Sequence, residues 1–158
     1  MIRAILACDD HWGIGRDGDL PWPHNSDDLK WFKANTTDST IVMGKATWDS
    51  LPVKPLPKRT NIVVTSSNSG VTGSFIYVSF DKAEKFIVDR NHTDNIWIIG
   101  GAKLVDGLLH IIDEIWLSRI DGNYNCDTVL PKDRITDEFA INDMTVDETM
   151  TIEKWVRR

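Results

Sequence analysis

Cysteine is scarce in this chain of 158 residues: Cys8 and Cys126 are the only two, and they stand in no metal-binding or redox spacing. A disulfide-stapled scaffold and a cysteine-built zinc site are excluded, and both thiols are expected to be reduced, in or near the core. The four histidines, His11, His24, His92 and His110, are scattered. No H-E-x-x-H, G-x-S-x-G or Walker A sequence occurs, so zinc-peptidase, α/β-hydrolase and P-loop chemistry have no footing. Long apolar runs are missing too. None approaches the ~18 residues of a membrane span, and the N-terminus lacks a signal-peptide pattern. The expectation is a soluble, cytoplasmic protein, in which the sequons Asn35-Thr36-Thr37 and Asn91-His92-Thr93 are accidental. Basic residues are outnumbered, 18 against 24 acidic, for a net charge of −6. That excludes a general nucleic-acid binder, and the seven tryptophans show none of the basic interleaving of a single-strand binder. A small anionic ligand held by a few local cations remains allowed.

What is present is an ordinary globular composition, 41% hydrophobic and 27% charged. A chain this long should bury roughly two-thirds of its unfolded surface, so one self-sufficient domain over 1–158 is expected. Short, continuous apolar runs at 2–8, 41–43, 61–65, 75–78 and 96–99 read as buried strands. Segments 27–35, 45–51, 81–90 and 101–109 read as helices between them. Strands alternating with helices indicate a parallel sheet covered on both faces. From 113 onward the helices stop, and strand-like pieces at 113–120, 138–143 and 149–156 should add antiparallel strands at one edge. The fold class is therefore α/β: a single-domain, mainly parallel, mixed twisted sheet of about eight strands with about four flanking helices.

Several residues invite a chemical reading. Gly13, Gly15 and Gly18 spell G-x-G-x-x-G, but residues 9–12 separate them from the strand, and Pro21 and Pro23 forbid the helix a dinucleotide fingerprint needs. A mobile glycine-rich loop beside an active site fits better, with a plain surface loop as the alternative. Gly100-Gly101 joins a buried strand to a helix, the strand-exit position where open α/β sheets collect ligands; a tight turn is an equal reading. Asp28 falls in the first turn of a helix with Phe32 four residues on, so both point the same way. A carboxylate beside a ring can hold a flat heterocycle, although the spacing also suits an acid that merely favours the helix dipole behind an N-cap at Ser26. Asp27 is the competitor, on the Trp31 side. Arg59, with Lys54 and Lys58, lies in a proline-stiffened connection and could grip a carboxylate, or be an ordinary solvated basic loop. Lys45, Thr47, Ser66 and Lys103 sit at strand exits suited to phosphates.

Together these pieces resemble the dihydrofolate reductase family, of the bacterial chromosomal type, over nearly the whole chain. The resemblance is carried by ILAC near the start, WGIGRDGDLPW at 12–22, DLKWF at 28–32, IVMGKATWDSL at 41–51, PLPKRTNIVVTSS at 55–67, IWIIGGAKL at 96–104 and CDTVLP at 126–131. It implies reduction of 7,8-dihydrofolate to 5,6,7,8-tetrahydrofolate, by hydride transfer from NADPH to C6, in support of one-carbon and thymidylate metabolism. It implies that Asp28 holds the amino-pyrimidine edge of the pterin and assists protonation at N5, with Ser118 buttressing it. Ile5, Leu29, Phe32 and Leu56 would line the substrate slot, and Arg59 would pair with the α-carboxylate of the glutamate tail. Ala7, Ile14 and Gly15 would bracket the nicotinamide. Leu20, Gly44, Thr65, Ile99, Gly100, Gly101, Ala102 and Leu104 would touch the cofactor, with Lys45, Thr47, Ser66 and Lys103 at its phosphates. The resemblance also implies a cis peptide at Gly100-Gly101 and a contact from Asp127 that steadies residues 13–20. No metal, nucleic acid, membrane or obligate protein partner is implied, and a monomer is expected.

The chain departs from the family pattern in four places. One extra residue falls within 23–26, Val105 replaces a frequent tyrosine, Leu20 a frequent methionine, and Ala46 a frequent histidine or basic residue. The nearest rival is the pyrimidine reductase of riboflavin synthesis on the same fold; a non-catalytic folate- or nucleotide-binding protein is a rival of another class. Asp28 followed by Leu-x-Trp-Phe, with Arg59, argues against the first, and Asp28 itself against the second. If Asp28 is poorly solvated, its pKa should be raised.

Overall fold

The computed structural model describes residues 1–16, 20, 22, 26–66, 75–146 and 150–158, with Ser26 described by its backbone alone. Gly18, Pro21, the 23–25 part of the extra-residue segment, the Ser26 side chain and nearly all of the 66–74 loop lie outside the described residues.

The apolar runs form β1 (Ile2–Cys8), β3 (Thr40–Gly44), β4 (Thr60–Val64), β5 (Ile76–Val78) and β6 (Ile96–Gly100), and the last third supplies β7 (Glu114–Arg119), β9 (Phe139–Val146) and β10 (Thr151–Arg157). These eight strands make one sheet in the order β5-β4-β3-β6-β1-β7-β10-β9. Pairing is parallel from β5 to β7. It turns antiparallel where β10 enters between β7 and β9. Both faces of the central strands are covered, which explains their near-continuous apolar sequences. Along β1, Ile2, Ala4, Leu6 and Cys8 enter one apolar cluster and Ile5 the other, as the period of two requires.

Helices α1 (Ser26–Thr36) and α2 (Lys45–Ser50) cover the Ile5 face through Trp31, Phe32 and Trp48. On the opposite face lie α3 (Phe80–Arg90), with Ala83 and Ile87, and α4 (Ala102–Leu108), with Leu104, Val105 and Leu108. A fifth helix, α5 (Lys132–Glu138), joins that face through Ile135. It corrects the expectation that the last third is helix-free. Its sequence, KDRITDE, has one buried residue and no apolar periodicity to announce it. A two-stranded ribbon was also not foreseen. β2 (Gly13–Gly15) pairs antiparallel with β8 (Thr128–Val129), inside segments that read as loop. Among the described residues no helix is long and apolar enough to cross a membrane.

Phe139 shows how tightly the antiparallel edge is tied in. It is wholly buried, and the Arg157 guanidinium lies 4.6 Å over its ring. Deleting a buried phenyl group removes both its transfer free energy and its contacts. Phe139→Ala should therefore lower unfolding free energy in urea by about 3–5 kcal/mol. A change below about 1 kcal/mol would mean that this end of the sheet closes over the gap.

Candidate active site

A cavity of about 320 Å³ opens at the carboxyl ends of the central parallel strands. That position follows from topology, since strand ends diverge there and helices begin. β1 contributes Ile5, Leu6 and Ala7, and β6 contributes Ile99 and Gly100, followed by Gly101. From α1 come Asp28, Leu29, Trp31 and Phe32; from α2, Ala46, Thr47 and Ser50. Ile14 and Gly15 of β2, with Leu20 and Thr128, form the remaining wall.

Of the two candidate acids, Asp28 lines this cavity and is 9% exposed, whereas Asp27 is exposed. The helical spacing that pairs Asp28 with Phe32 is thus realised. Burial pushes the Asp28 pKa up, a hydrogen bond with the Ser118 hydroxyl pulls it down, and burial prevails. Ser118 comes from β7 and is itself wholly buried. The site holds a carboxyl group that keeps its proton to higher pH than an ordinary one.

Also lining the cavity, Gly100-Gly101 is a cis peptide, as the resemblance implies. Gly100 has φ +127°, a backbone region that L side chains rarely adopt. An added Cβ on Gly100 would lie 3.5 Å from Thr47 Oγ1, so the hydroxyl and the bare backbone face one another. Gly44 ends β3 close by: a Cβ there would lie 3.8 Å from the Gly101 nitrogen.

The remaining expected residues stand outside the cavity lining. Leu56 packs against the cluster of Ile5, Met43 and Trp97. Arg59 is half-buried beside the Phe32 ring, 6.0 Å from its centroid, and donates to Thr36 Oγ1 at 3.1 Å and to Pro57 O at 2.9 Å. Burial lowers its pKa. Lys45 opens α2, with its ammonium 2.6 Å from Asp49 Oδ1. Thr65 is buried and Ser66 exposed just beyond β4. Ala102 and Lys103 begin α4, the first half-buried and the second exposed, while Leu104 and Val105 lie in the core. Six lining residues were not among the expected set: Leu6, Trp31, Ala46, Ser50, Leu51 and Thr128. Ser50 and Leu51 follow Thr47 at helical spacing, a signal that was available. Thr128 depends on the β2–β8 ribbon, which no local pattern reveals.

The observed lining suits a flat, partly charged molecule lying across small residues and glycine backbone. A family model described as dihydrofolate reductase matches residues 1–154. The dihydrofolate reductase of Haemophilus influenzae is 38% identical over 119 residues, 75% of this chain and 71% of that one. That of Bacillus subtilis is 36% identical over 134 residues, 84% of this chain and 76% of that one. In structure, the chain is similar to dihydrofolate reductase from Enterococcus faecalis complexed with NADP(H) and RAB-propyl. The TM-score is 0.86 at 29% identity, covering 100% of this chain and 96% of that one. Fold and site together define a nicotinamide-dependent oxidoreductase of the α/β class. The chain belongs to the dihydrofolate reductase family. Its activity is the reduction of dihydrofolate, and its cofactor is NADPH.

Proposed function

We propose that the chain converts 7,8-dihydrofolate to 5,6,7,8-tetrahydrofolate with Asp28 as its catalytic acid group. The observation that carries this reading is the Asp28 carboxyl group, buried in the cavity wall with a raised pKa and a hydrogen bond to Ser118. Its two oxygens match the donor edge of an amino-pyrimidine ring. Holding that edge favours the protonated pterin and assists delivery of a proton to N5. Phe32, Ile5 and Leu29 flank the ring, with Leu56 farther out, while Arg59 grips the tail carboxylate.

The glycine-bearing part of the lining fits the cofactor. Gly100 and Gly101 let backbone come close to a flat ring or a diphosphate, Thr47 faces them, and Ala7 leaves room on β1. Ala7, Ile14 and Gly15 would bracket the nicotinamide. Leu20, Gly44, Thr65, Ile99, Ala102 and Leu104 would shape the rest of the groove, with Lys45, Ser66 and Lys103 toward the phosphates. NADPH, when bound, supplies the hydride. The protein orients and excludes water: apolar Ile5, Ile14, Phe32 and Ile99 line the same cavity as the acid and the glycines.

Loss of absorbance at 340 nm with purified protein, dihydrofolate and NADPH tests this reading. No loss at any protein concentration would refute it. Cofactor choice gives a second test. Lys45 is paired with Asp49, but exposed pairs contribute little, and a hydrogen bond from an ammonium to a phosphate is stronger. The double variant Lys45→Ala, Lys103→Ala should narrow the NADPH/NADH preference in kcat/KM by about tenfold or more. An unchanged ratio would remove both lysines from the phosphate site. We place the chain in the cytoplasm as one monomeric domain feeding one-carbon and thymidylate metabolism; the eight-stranded sheet, with strands drawn from β1 through to β10, supports the single domain, and the tetrahydrofolate product the metabolic role.

A further inference from the structure

We infer that Asp9 is a positioning residue whose buried carboxylate fastens the turn carrying Ile14 and Gly15 to the 122–130 segment and so fixes one wall of the cavity. The inference rests on the reading of that cavity as the NADPH and dihydrofolate site.

Asp9 is the first residue after β1 and is completely buried. An isolated buried carboxylate is very costly unless its acceptor sites are filled. Here four donors fill them. Oδ1 accepts from the backbone N–H of His11 at 2.9 Å and of Gly13 at 2.8 Å. Oδ2 accepts from the backbone N–H of Tyr124 at 3.0 Å and from the Cys126 thiol at 3.6 Å. Burial pushes its pKa up, but the amides of Tyr124, Gly13 and His11 and the Cys126 thiol more than offset this and hold it below the ordinary carboxylate range.

The two oxygens do different work. Oδ1 closes the turn that Asp9 itself begins. Oδ2 reaches across to a segment more than a hundred residues away in sequence. Weaker links lie along the same seam: Asp10 N–H to Gly122 O at 3.0 Å, Asp127 N–H to Gly15 O at 3.0 Å, and Leu130 N–H to Trp12 O at 2.9 Å. These three are neutral backbone bonds, and two charge-assisted ones across the seam, from Gly122 N–H to Asp10 Oδ2 at 2.8 Å and from the Arg16 guanidinium to Tyr124 O at 3.0 Å, are exposed to solvent, which weakens them. The Asp9 carboxylate is ionised, buried and shared between the segments, so its bonds are the strong ones.

Asparagine at position 9 separates the two halves. It keeps one carbonyl oxygen, which can satisfy one side, and presents an amide NH2 to the N–H donors of the other. With the oxygen toward His11 and Gly13, the Tyr124 N–H and the thiol face a donor. Asp9→Asn should raise the NADPH dissociation constant, read by tryptophan fluorescence, by about tenfold and speed exchange of the Tyr124 amide by a similar factor. It should lower kcat while leaving KM for dihydrofolate at the wild-type value, because Asp28, Phe32 and Arg59 are untouched. Cys126→Ser retains a donor to Oδ2 and should match the wild type; Cys126→Ala loses one donor and should show a smaller loss of the same kind.

A lower Tm with unchanged NADPH affinity and unchanged kcat would make Asp9 a structural residue only and overturn the inference. If Asp9→Asn does not fold, Cys126→Ala carries the test, and wild-type NADPH affinity together with wild-type exchange at Tyr124 in that variant overturns it equally. If the wild-type protein itself fails to reduce dihydrofolate, the functional reading falls, while NADPH titration and amide exchange still decide the role of Asp9.

Discussion

Asp28→Asn should fold as the parent does and lose about a hundredfold to ten-thousandfold in kcat near neutral pH, the usual range for removing a positioned acid–base group. Asparagine is nearly isosteric and still offers one acceptor, so binding should suffer less than turnover. The pH profile discriminates further. Burial raises the Asp28 pKa, with the Ser118 hydrogen bond opposing it. The protonated fraction therefore persists above the ordinary carboxylate range, and parental kcat should fall as pH rises through the raised value. The variant has no proton to lose at this position, so its residual rate should be flat over that interval. A variant that kept the parental slope would assign the titration to another group.

The same shift makes a stability statement. Above the ordinary carboxylate range the unfolded chain has released this proton while the folded chain still holds it. Stability from the group is then complete below the unfolded pKa and is lost as pH rises through the folded one. Asparagine escapes that loss. Asp28→Asn should melt above the parent at pH 7, with the gap narrowing as the pH falls toward 4. Lost activity with gained stability is the pattern of a group held in place for chemistry at some cost to folding.

How legible was this site? Residues 2–8 and 96–99 could be read as strands because burial on both faces leaves little but apolar side chains there. Asp28 could be narrowed to one of two acids by its spacing to Phe32, and its 9% exposure against an exposed Asp27 separates them. The β2–β8 ribbon was illegible for a physical reason. Thr128 and Val129 are both exposed, and main-chain hydrogen bonds rather than an alternating apolar face set their pairing. α5 was hidden because one isoleucine suffices to dock seven residues. Asp9 resembled any loop acid in sequence, since its importance comes from amides contributed by Tyr124 and its own turn. Gly13 was legible as glycine but not for its reason. Its expected contribution was freedom for a loop; the structure shows a close approach.

That approach makes Gly13→Ala the second substitution of large effect. A Cβ at this position would lie 2.5 Å from both Cβ and Sγ of Cys126 and 3.0 Å from Asp9 Oδ1. Separations this short cannot be kept, so β2 must move away from the 122–130 segment or Cys126 must be displaced. Overpacking of this kind costs about 1–3 kcal/mol. Ile14, the next residue, lines the cavity, and a displacement of about 1 Å in a wall that orients reactants can lower kcat/KM by about a hundredfold. Thermal melts and steady-state kinetics on Gly13→Ala should show both losses. Compensation is diagnostic, because Cys126→Ala in the same background removes Sγ but leaves the clashing Cβ and should restore little. Only Cys126→Gly clears both contacts, and it should recover a large part of kcat/KM despite deleting a side chain. Equal recovery from alanine and glycine would show that the sulfur alone is in the way; parental activity in Gly13→Ala itself would show that the ribbon is not held against Cys126 at all.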